Sequence, residues 1–336
     1  MKNQIIKANL FEAKVSNKTI WIFVKLINNQ NLTGWGEATL AGKEKQLLLI
    51  KKDVFETIVN KNYNLPYDLK RFLPFNNIVE SSISSSIMQA LWDIQGKAEN
   101  KNITHIFGYK NKLIQVYANF NRSTTDRSLS GLKSKTIEVL NKGYDFVKFA
   151  PFDEVEPTMN RKDKLSAMEK GLDRINVIRE TVGNNINILI DCHWRFDYET
   201  SLELIKQCDV FNLYWLECPI IENEENINDI KSIRSKANKK GIKLAGLEKK
   251  ILKEGFYKYL KSDVYDVMMP DIKYAGGPDE MLEIEKLFKK NEVEFSPHNP
   301  SGPISHAHTL QICSSTLNPA LMEYQFKETD YFNNLL

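Results

Sequence analysis

A chain of 336 residues exceeds one ordinary domain of ~150 residues but suits a barrel plus a smaller domain. Hydrophobic residues make up 42% and charged residues 26%, without a long polar or Pro/Gly-rich tract, which excludes disorder and fibrous repeats. The 46 Lys and Arg against 43 Asp and Glu leave a formal charge of +3 spread along the chain, so no basic stripe invites nucleic acid.

The opening residues, MKNQIIKANLFEAK, lack the unbroken apolar stretch of a signal peptide. No apolar run approaches the ~18 residues of a membrane span. A soluble, cytoplasmic protein with neither a membrane nor a nucleic-acid partner is expected. TIWIFVKLIN at 19–28 and LTGWGEA at 32–38 then predict a hairpin. Ile83, Ile87, Met88, Leu91 and Ile94 form a helical stripe with Gly96 near its end. Together these describe an α+β unit.

From about residue 114 short β-branched or aromatic runs alternate with amphipathic segments, the pattern of parallel βα units. Eight strands are predicted: IQVYANF at 114–120, FVKFA at 146–150, NILIDCH at 187–193, LYWLEC at 213–218, KLAGLE at 243–248, DVMMPD at 266–271, VEFSPH at 293–298 and LMEYQ at 321–325. Helical stripes lie between them, one of them stopped by Gly183 and another by Gly241. An open doubly wound sheet would show a Gly-rich phosphate turn after an early strand; none is visible, so a barrel is favoured. Cys192, Cys208, Cys218 and Cys313 lie in apolar surroundings without CxxC spacing and read as reduced core residues.

Nearly every predicted strand finishes on a polar group: Lys148, Asp191 with His193, Glu217, Glu248, Asp271, His298 and Glu323. Any one acid could simply cap the next helix. In a βα barrel, however, those ends converge on one face, where catalytic groups gather. Asp191, Glu217 and Glu248 on three successive strands would repel one another strongly, and a hard divalent cation is the simplest remedy. An all-oxygen set points to Mg²⁺ or Mn²⁺ and away from zinc.

GWGEA at 34–38, ALWDIQGK at 90–97, IDCHWRFD at 190–197, LECP at 216–219, MPDIKYAGG at 269–277, SPHNPSGP at 296–303 and MEYQ at 322–325 together resemble the enolase superfamily, in its mandelate racemase/muconate lactonizing enzyme branch. The resemblance runs over essentially the whole chain. It implies an α/β fold, a modified TIM barrel (β/α)7β with an N-terminal α+β capping domain. The capping domain would take residues 1–113, completed by about 326–336, and the barrel 114–325. It implies Mg²⁺ on Asp191, Glu217 and Glu248, an even-numbered homo-oligomer, and chemistry on a proton next to a carboxylate. His298 is the candidate base, with Asp271 holding its other nitrogen.

The second strand departs from the pattern. Many relatives carry a Lys-x-Lys pair there and use its second Lys as a base on the opposite face, whereas this chain reads Lys148-Phe149-Ala150. Losing one of two opposed acid–base groups argues against racemisation and for elimination, while Lys148 can still bind the substrate carboxylate. His193 resembles the third-strand His of the sugar-acid dehydratases of this branch, which protonates the departing hydroxide; His298 could instead serve both steps. Strand periodicity should turn His193 to the face of Asp191. A protonated Glu323, favoured by burial among acids, could donate a hydrogen bond to a substrate oxygen.

The expected function is Mg²⁺-dependent dehydration of a small carboxylate substrate, a sugar acid, to a 2-keto-3-deoxy acid. A racemase or epimerase and a non-catalytic sugar-acid binder are the alternatives. Specificity is expected from loops 14–20, 40–52 and 152–163. His105, His306 and His308 read as ordinary helix residues.

Overall fold

The computed structural model describes residues 2–108, 113–316 and 320–334. The segment 109–112, where the expected capping domain meets the barrel, and the last two residues of the expected C-terminal completion lie outside the described residues. Strands β1 (Asn3–Lys14), β2 (Ile20–Asn28), β3 (Thr33–Glu37) and β4 (Asn62–Tyr63) form an antiparallel sheet in the order β3-β2-β1-β4. Helices α1 (Glu44–Glu56), α2 (Tyr67–Lys70), α3 (Ile78–Glu99) and α4 (Ile103–Ile106) complete this unit. The predicted hairpin is β2–β3; β1 is an additional strand whose long pairing with β2 runs from Ile5↔Asn28 to Lys14↔Ile20.

The glycines of GWGEA answer to packing rather than to a turn. β3 lies so close on α3 that a Cβ on Gly34 or Gly36 would stand 1.9 Å from the carbonyl oxygen of Ala90 or Ser86. Ser86 and Ala90 of α3, both small and fully buried, are the residues that admit this close approach. Gly96 lies near the end of this helix, as expected; the helix runs to Glu99 and closes on left-handed Asn100.

The barrel strands are β5 (Gln115–Asn119), β6 (Phe146–Phe149), β7 (Asn187–Asp191), β8 (Leu213–Glu217), β9 (Lys243–Gly246), β10 (Val267–Met268), β11 (Glu294–Phe295) and β12 (Leu321–Gln325). All are parallel, in the order β11-β10-β9-β8-β7-β6-β5-β12. Between them run α5 (Leu129–Leu140), α6 (Arg161–Val182), α7 (Tyr198–Cys208), α8 (Ile227–Asn238), α9 (Glu254–Ser262), α10 (Pro278–Lys290) and α11 (Pro303–Ser315), one per connection. This is the expected (β/α)7β barrel. At its seam, between β11 and β12, Ser296 Oγ donates to the Leu321 carbonyl at 2.5 Å.

Period-two alternation sorts the strand residues. Tyr117, Phe146, Leu189, Trp215, Ala245, Val267 and Met269 fill the barrel interior. Their neighbours Ala118, Val147, Ile188, Ile190, Leu216, Leu244 and Met268 face the helices. The interior is thus closed by an apolar layer, and the residues two positions further on form the next layer, at the C-terminal mouth.

The N-terminal unit sits over that mouth. Glu37, fully buried at the end of β3, accepts the backbone N–H groups of Gly302 (2.7 Å) and Ser305 (2.9 Å) at the start of α11, where the helix dipole favours a carboxylate. The C-terminal tail ties both units together: Glu328 accepts from Thr19 Oγ1 and pairs with Arg122 at 3.3 Å, and Phe332 packs edge-on against Trp21 and Tyr324. Gly36→Ala should cost about 3 kcal/mol by overpacking against α3, read as a lowered midpoint of urea unfolding.

Candidate active site

Two residues beyond the apolar layer stand Asn119, Lys148, Asp191, Glu217, Asp271 and Glu323, following Tyr117, Phe146, Leu189, Trp215, Met269 and Leu321. All six are buried, and none is more than 8% exposed. The strand-end rule therefore has a simple cause: alternation sends this layer inward just where the barrel opens. Glu248 arrives differently. β9 ends at Gly246, and Leu247 takes a left-handed φ of 72° that resets the alternation, so Leu247 stays with the outer core and Glu248 lines the mouth.

Lys148 Nζ lies 2.9 Å from Glu217, 3.1 Å from Glu323 and 4.0 Å from Asp191. Burial opposes its charge, but Glu217 and Glu323 outweigh it and hold its pKa well above the usual lysine range. Burial drives the Glu217 carboxyl up, and the neighbouring charges of Asp191, Glu323 and Glu248 push the same way against Lys148. Trp215 Nε1 also donates to Glu217, at 3.2 Å.

Glu323 differs from the protonated donor expected from its sequence. Burial raises its pKa, yet Lys148, His298, the Asn299 N–H (2.6 Å) and Asn119 Nδ2 (2.6 Å) together lower it below the ordinary glutamate value. Its three direct partners, Lys148, the Asn299 N–H and Asn119 Nδ2, are a cation and two donors, so this setting favours Glu323 as an ionised acceptor.

β7 ends at Asp191, so His193 is not on the strand, and strand periodicity does not place it. His193 and Trp194 both take positive φ, 48° and 56°, and this reversal folds the His193 ring back onto Asp191. His193 Nε2 lies 2.9 Å from Asp191 Oδ2, and its N–H donates to Oδ1, also at 2.9 Å. The charge of Asp191 raises the His193 pKa against burial, while burial's upward push on Asp191 is overcome by His193 and Lys148, which lower it. On the other side of the mouth, His298 Nδ1 lies 2.8 Å from Asp271 Oδ2, and its Nε2 lies 3.2 Å from Glu248 Oε2.

The acids suit a hard cation. Glu217 and Glu248 bring carboxylate oxygens within 4.8 Å of each other, together with the Cys218 sulfur. Burial and the surrounding carboxylates hold the Cys218 thiol well above its usual pKa, and its S–H donates to Glu222 at 3.8 Å. Asp191 lies outside that closest group because its oxygens are turned to His193. Burial first, and then the repulsion of Asp191, Glu323 and Glu248, disfavours the Glu217 charge; a divalent ion would relieve both, and the acid donors are oxygen.

A cavity of about 340 Å³ opens over these groups. Its barrel wall includes Asn119, Arg122, Lys148, Asp191, His193, Trp194, Glu248, Lys249, Lys273 and His298, and its roof is Thr19, Ile20, Thr39, Leu40 and Ala41. Loops 14–20 and 40–52 thus reach the cavity as expected, whereas loop 152–163 contributes none of its lining among the described residues. Asn119, Arg122, Lys249 and Lys273 were not singled out from the sequence. Asn119 could have been, because it ends its strand like the others. Lys273 follows Asp271 by two residues in a turn, where strand reasoning has no purchase. His306 and His308 lie on α11 as expected; burial pushes the His306 pKa down to about 4, as suits a neutral packing residue.

Residues 132–335 match the family described as Enolase C-terminal domain-like, and residues 11–108 match the mandelate racemase/muconate lactonizing enzyme N-terminal domain. The chain belongs to the enolase superfamily. It is similar to D-galactonate dehydratase of Xanthomonas campestris pv. campestris, 27% identical over 314 residues that span 90% of this chain and 78% of the relative. In fold it resembles an enolase superfamily member from Salmonella Typhimurium, with a TM-score of 0.86 at 20% identity over 98% of this chain and 88% of the other. An enolase from Agrobacterium radiobacter, solved with sodium and L-malate bound, gives a TM-score of 0.82 at 23% identity over 96% and 81%.

Within this superfamily scaffold the Lys148 ammonium is the counter-charge of a buried acid cluster. Lys148→Met should therefore cost about 3–5 kcal/mol, since it strands Glu217 and Glu323 unpaired. Urea unfolding in chelator would measure the loss, and a variant as stable as the parent would show that Lys148 does not carry this load.

Proposed function

We propose that the protein is a Mg²⁺-dependent hydro-lyase that dehydrates a sugar acid to a 2-keto-3-deoxy acid. The observation that carries the reading is the placement of two imidazoles, His298 on Asp271 and His193 on Asp191, around one acid cluster, with Ala150 where a second-strand base would stand. Similarity to a dehydratase of a sugar acid over 90% of the chain supports it, as does a neighbour in fold that holds the hydroxy acid L-malate. The division at 113/114, an even-numbered homo-oligomer and a cytoplasmic setting belong to the same proposal. Among the described residues no helix is long and apolar enough to cross a membrane.

Asp191, Glu217 and Glu248 would hold the cation. When bound, it supplies Lewis-acid stabilisation of the second negative charge that α-proton removal places on the substrate carboxylate. Lys148, pinned among Glu217, Glu323 and Asp191, presents a fixed positive charge to the same carboxylate. His298 takes the α-proton on Nε2, because its Nδ1 is committed to Asp271. His193, which Asp191 biases toward the protonated form, gives its proton to the hydroxyl leaving the β-carbon, so that water departs. The resulting enol tautomerises to the ketone. Glu323, being ionised, acts by holding Lys148 and Asn119 rather than by donating to substrate.

Mg²⁺ should raise the melting temperature of the parent, by about 2.7 kcal/mol of added stability at a hundredfold excess over Kd. Asp191→Asn should remove most of that rise; an undiminished shift would take Asp191 out of the ligand set. In deuterated water His298→Asn should abolish α-proton exchange of a substrate found by screening a sugar-acid library. His193→Asn should keep exchange and lose dehydration. Normal dehydration by His193→Asn would make His298 the acid as well, and a parent that only inverts configuration would overturn the dehydratase reading.

A further inference from the structure

Lys273 plays no part in the steps above, yet its side chain is only 3% exposed and its ammonium lies against the base pair. Lys273 Nζ is 2.7 Å from Asp271 Oδ2, the same oxygen that His298 Nδ1 approaches at 2.8 Å. The Lys273 backbone N–H donates to the other oxygen, Oδ1, at 2.8 Å. Asp271 is itself fully buried. A carboxylate there without a counter-charge would take up a proton and cease to be a good acceptor for the imidazole.

The ammonium is seated in turn. Lys273 Nζ also donates to Ser301 Oγ. Ser301 directly precedes Gly302, whose N–H is held by Glu37 at 2.7 Å. A Cβ on Gly302 would meet Trp21 at 2.9 Å and Glu37 Oε1 at 3.0 Å, so the roof leaves this loop little freedom. A buried line of contacts therefore runs from the capping unit through Gly302, Ser301, Lys273 and Asp271 to His298.

We propose that Lys273 is a positioning residue for proton abstraction: seated on Ser301 and sharing Asp271 Oδ2 with His298, it fixes the carboxylate that aims the base. The role in catalysis takes the assignment of His298 as base for its premise, whereas the hydrogen bond itself can be observed without substrate. The probe is the Nδ1 proton of His298 in protein labelled with ¹⁵N-histidine, assigned by its loss in His298→Asn.

Lys273→Met should remove that downfield resonance, and Asp271→Asn should do the same. With D-galactonate as the acid it should slow α-proton exchange about 100-fold in kcat, with KM within about threefold. The double variant should be no slower than Asp271→Asn alone, because both act through one carboxylate. A retained resonance, multiplied losses in the double variant, or a raised KM at unchanged kcat would overturn the proposal.

If Lys273→Met does not fold, Ser301→Ala decides, since it removes the seat and keeps the charge. Faster solvent exchange of the His298 Nδ1 proton supports the role, and an unchanged rate overturns it. Should the parent exchange no α-proton from D-galactonate or any acid of the library, the reaction assigned above fails, and the resonance still reports whether Lys273 holds Asp271.

Discussion

Five carboxylates crowd the mouth of one barrel, and their repulsion is the constraint around which the molecule is built. Asp191, Glu217, Glu248, Asp271 and Glu323 are each at most 6% exposed. At an effective dielectric near 20, two such charges 4 Å apart repel by about 4 kcal/mol. The chain answers with two buried ammonium groups that divide the acids. Lys148 serves Glu217, Glu323 and the edge of Asp191, and Lys273 serves Asp271. Glu248 has no lysine partner among the ion pairs of the described residues, and Glu217 shares its lysine with Glu323, so a divalent ion would find its charge complement between Glu217 and Glu248. The two histidines stand at the margins of the cluster, His193 on Asp191 and His298 between Asp271 and Glu248.

The capping unit is part of this electrostatic arrangement rather than a lid added to it. Glu37 sits on the first turn of α11, and the loop it fixes supplies Asn299 N–H to Glu323 and Ser301 to Lys273. The roof over the cavity is largely apolar, with Ile20, Leu40 and Ala41, so it limits water around charges that water would otherwise screen.

The barrel is legible in the sequence because each strand is a short β-branched or aromatic run and each ends where a polar residue becomes useful. The identities of Lys148, Asp191, Glu217 and Glu323 as inward groups follow from alternation alone, each standing within its strand. What alternation cannot give lies beyond the last ladder bond. β7 stops at Asp191 and β9 at Gly246, so His193 and Glu248 reach the mouth through left-handed residues. The ionised state of Glu323 is hidden because sequence shows burial and like charges but not the Asn119, Lys148 and Asn299 donors gathered from distant positions. β1 is hard to read because NQIIKANLFEAK alternates weakly and belongs to a small sheet.

Three successive barrel strands leave the sheet through non-glycine residues at positive φ: His193 and Trp194, then Cys218, then Leu247. Each sits beside an acid, and each holds a conformation that glycine would adopt more readily, by roughly 1 kcal/mol per residue. A selection for thermal tolerance alone would therefore draw these corners toward glycine, loosening the neighbouring carboxylates as the fold relaxed. The rim of this barrel is the place where backbone ease and reactivity ask for opposite residues, and the side chains at these corners come at the expense of durability.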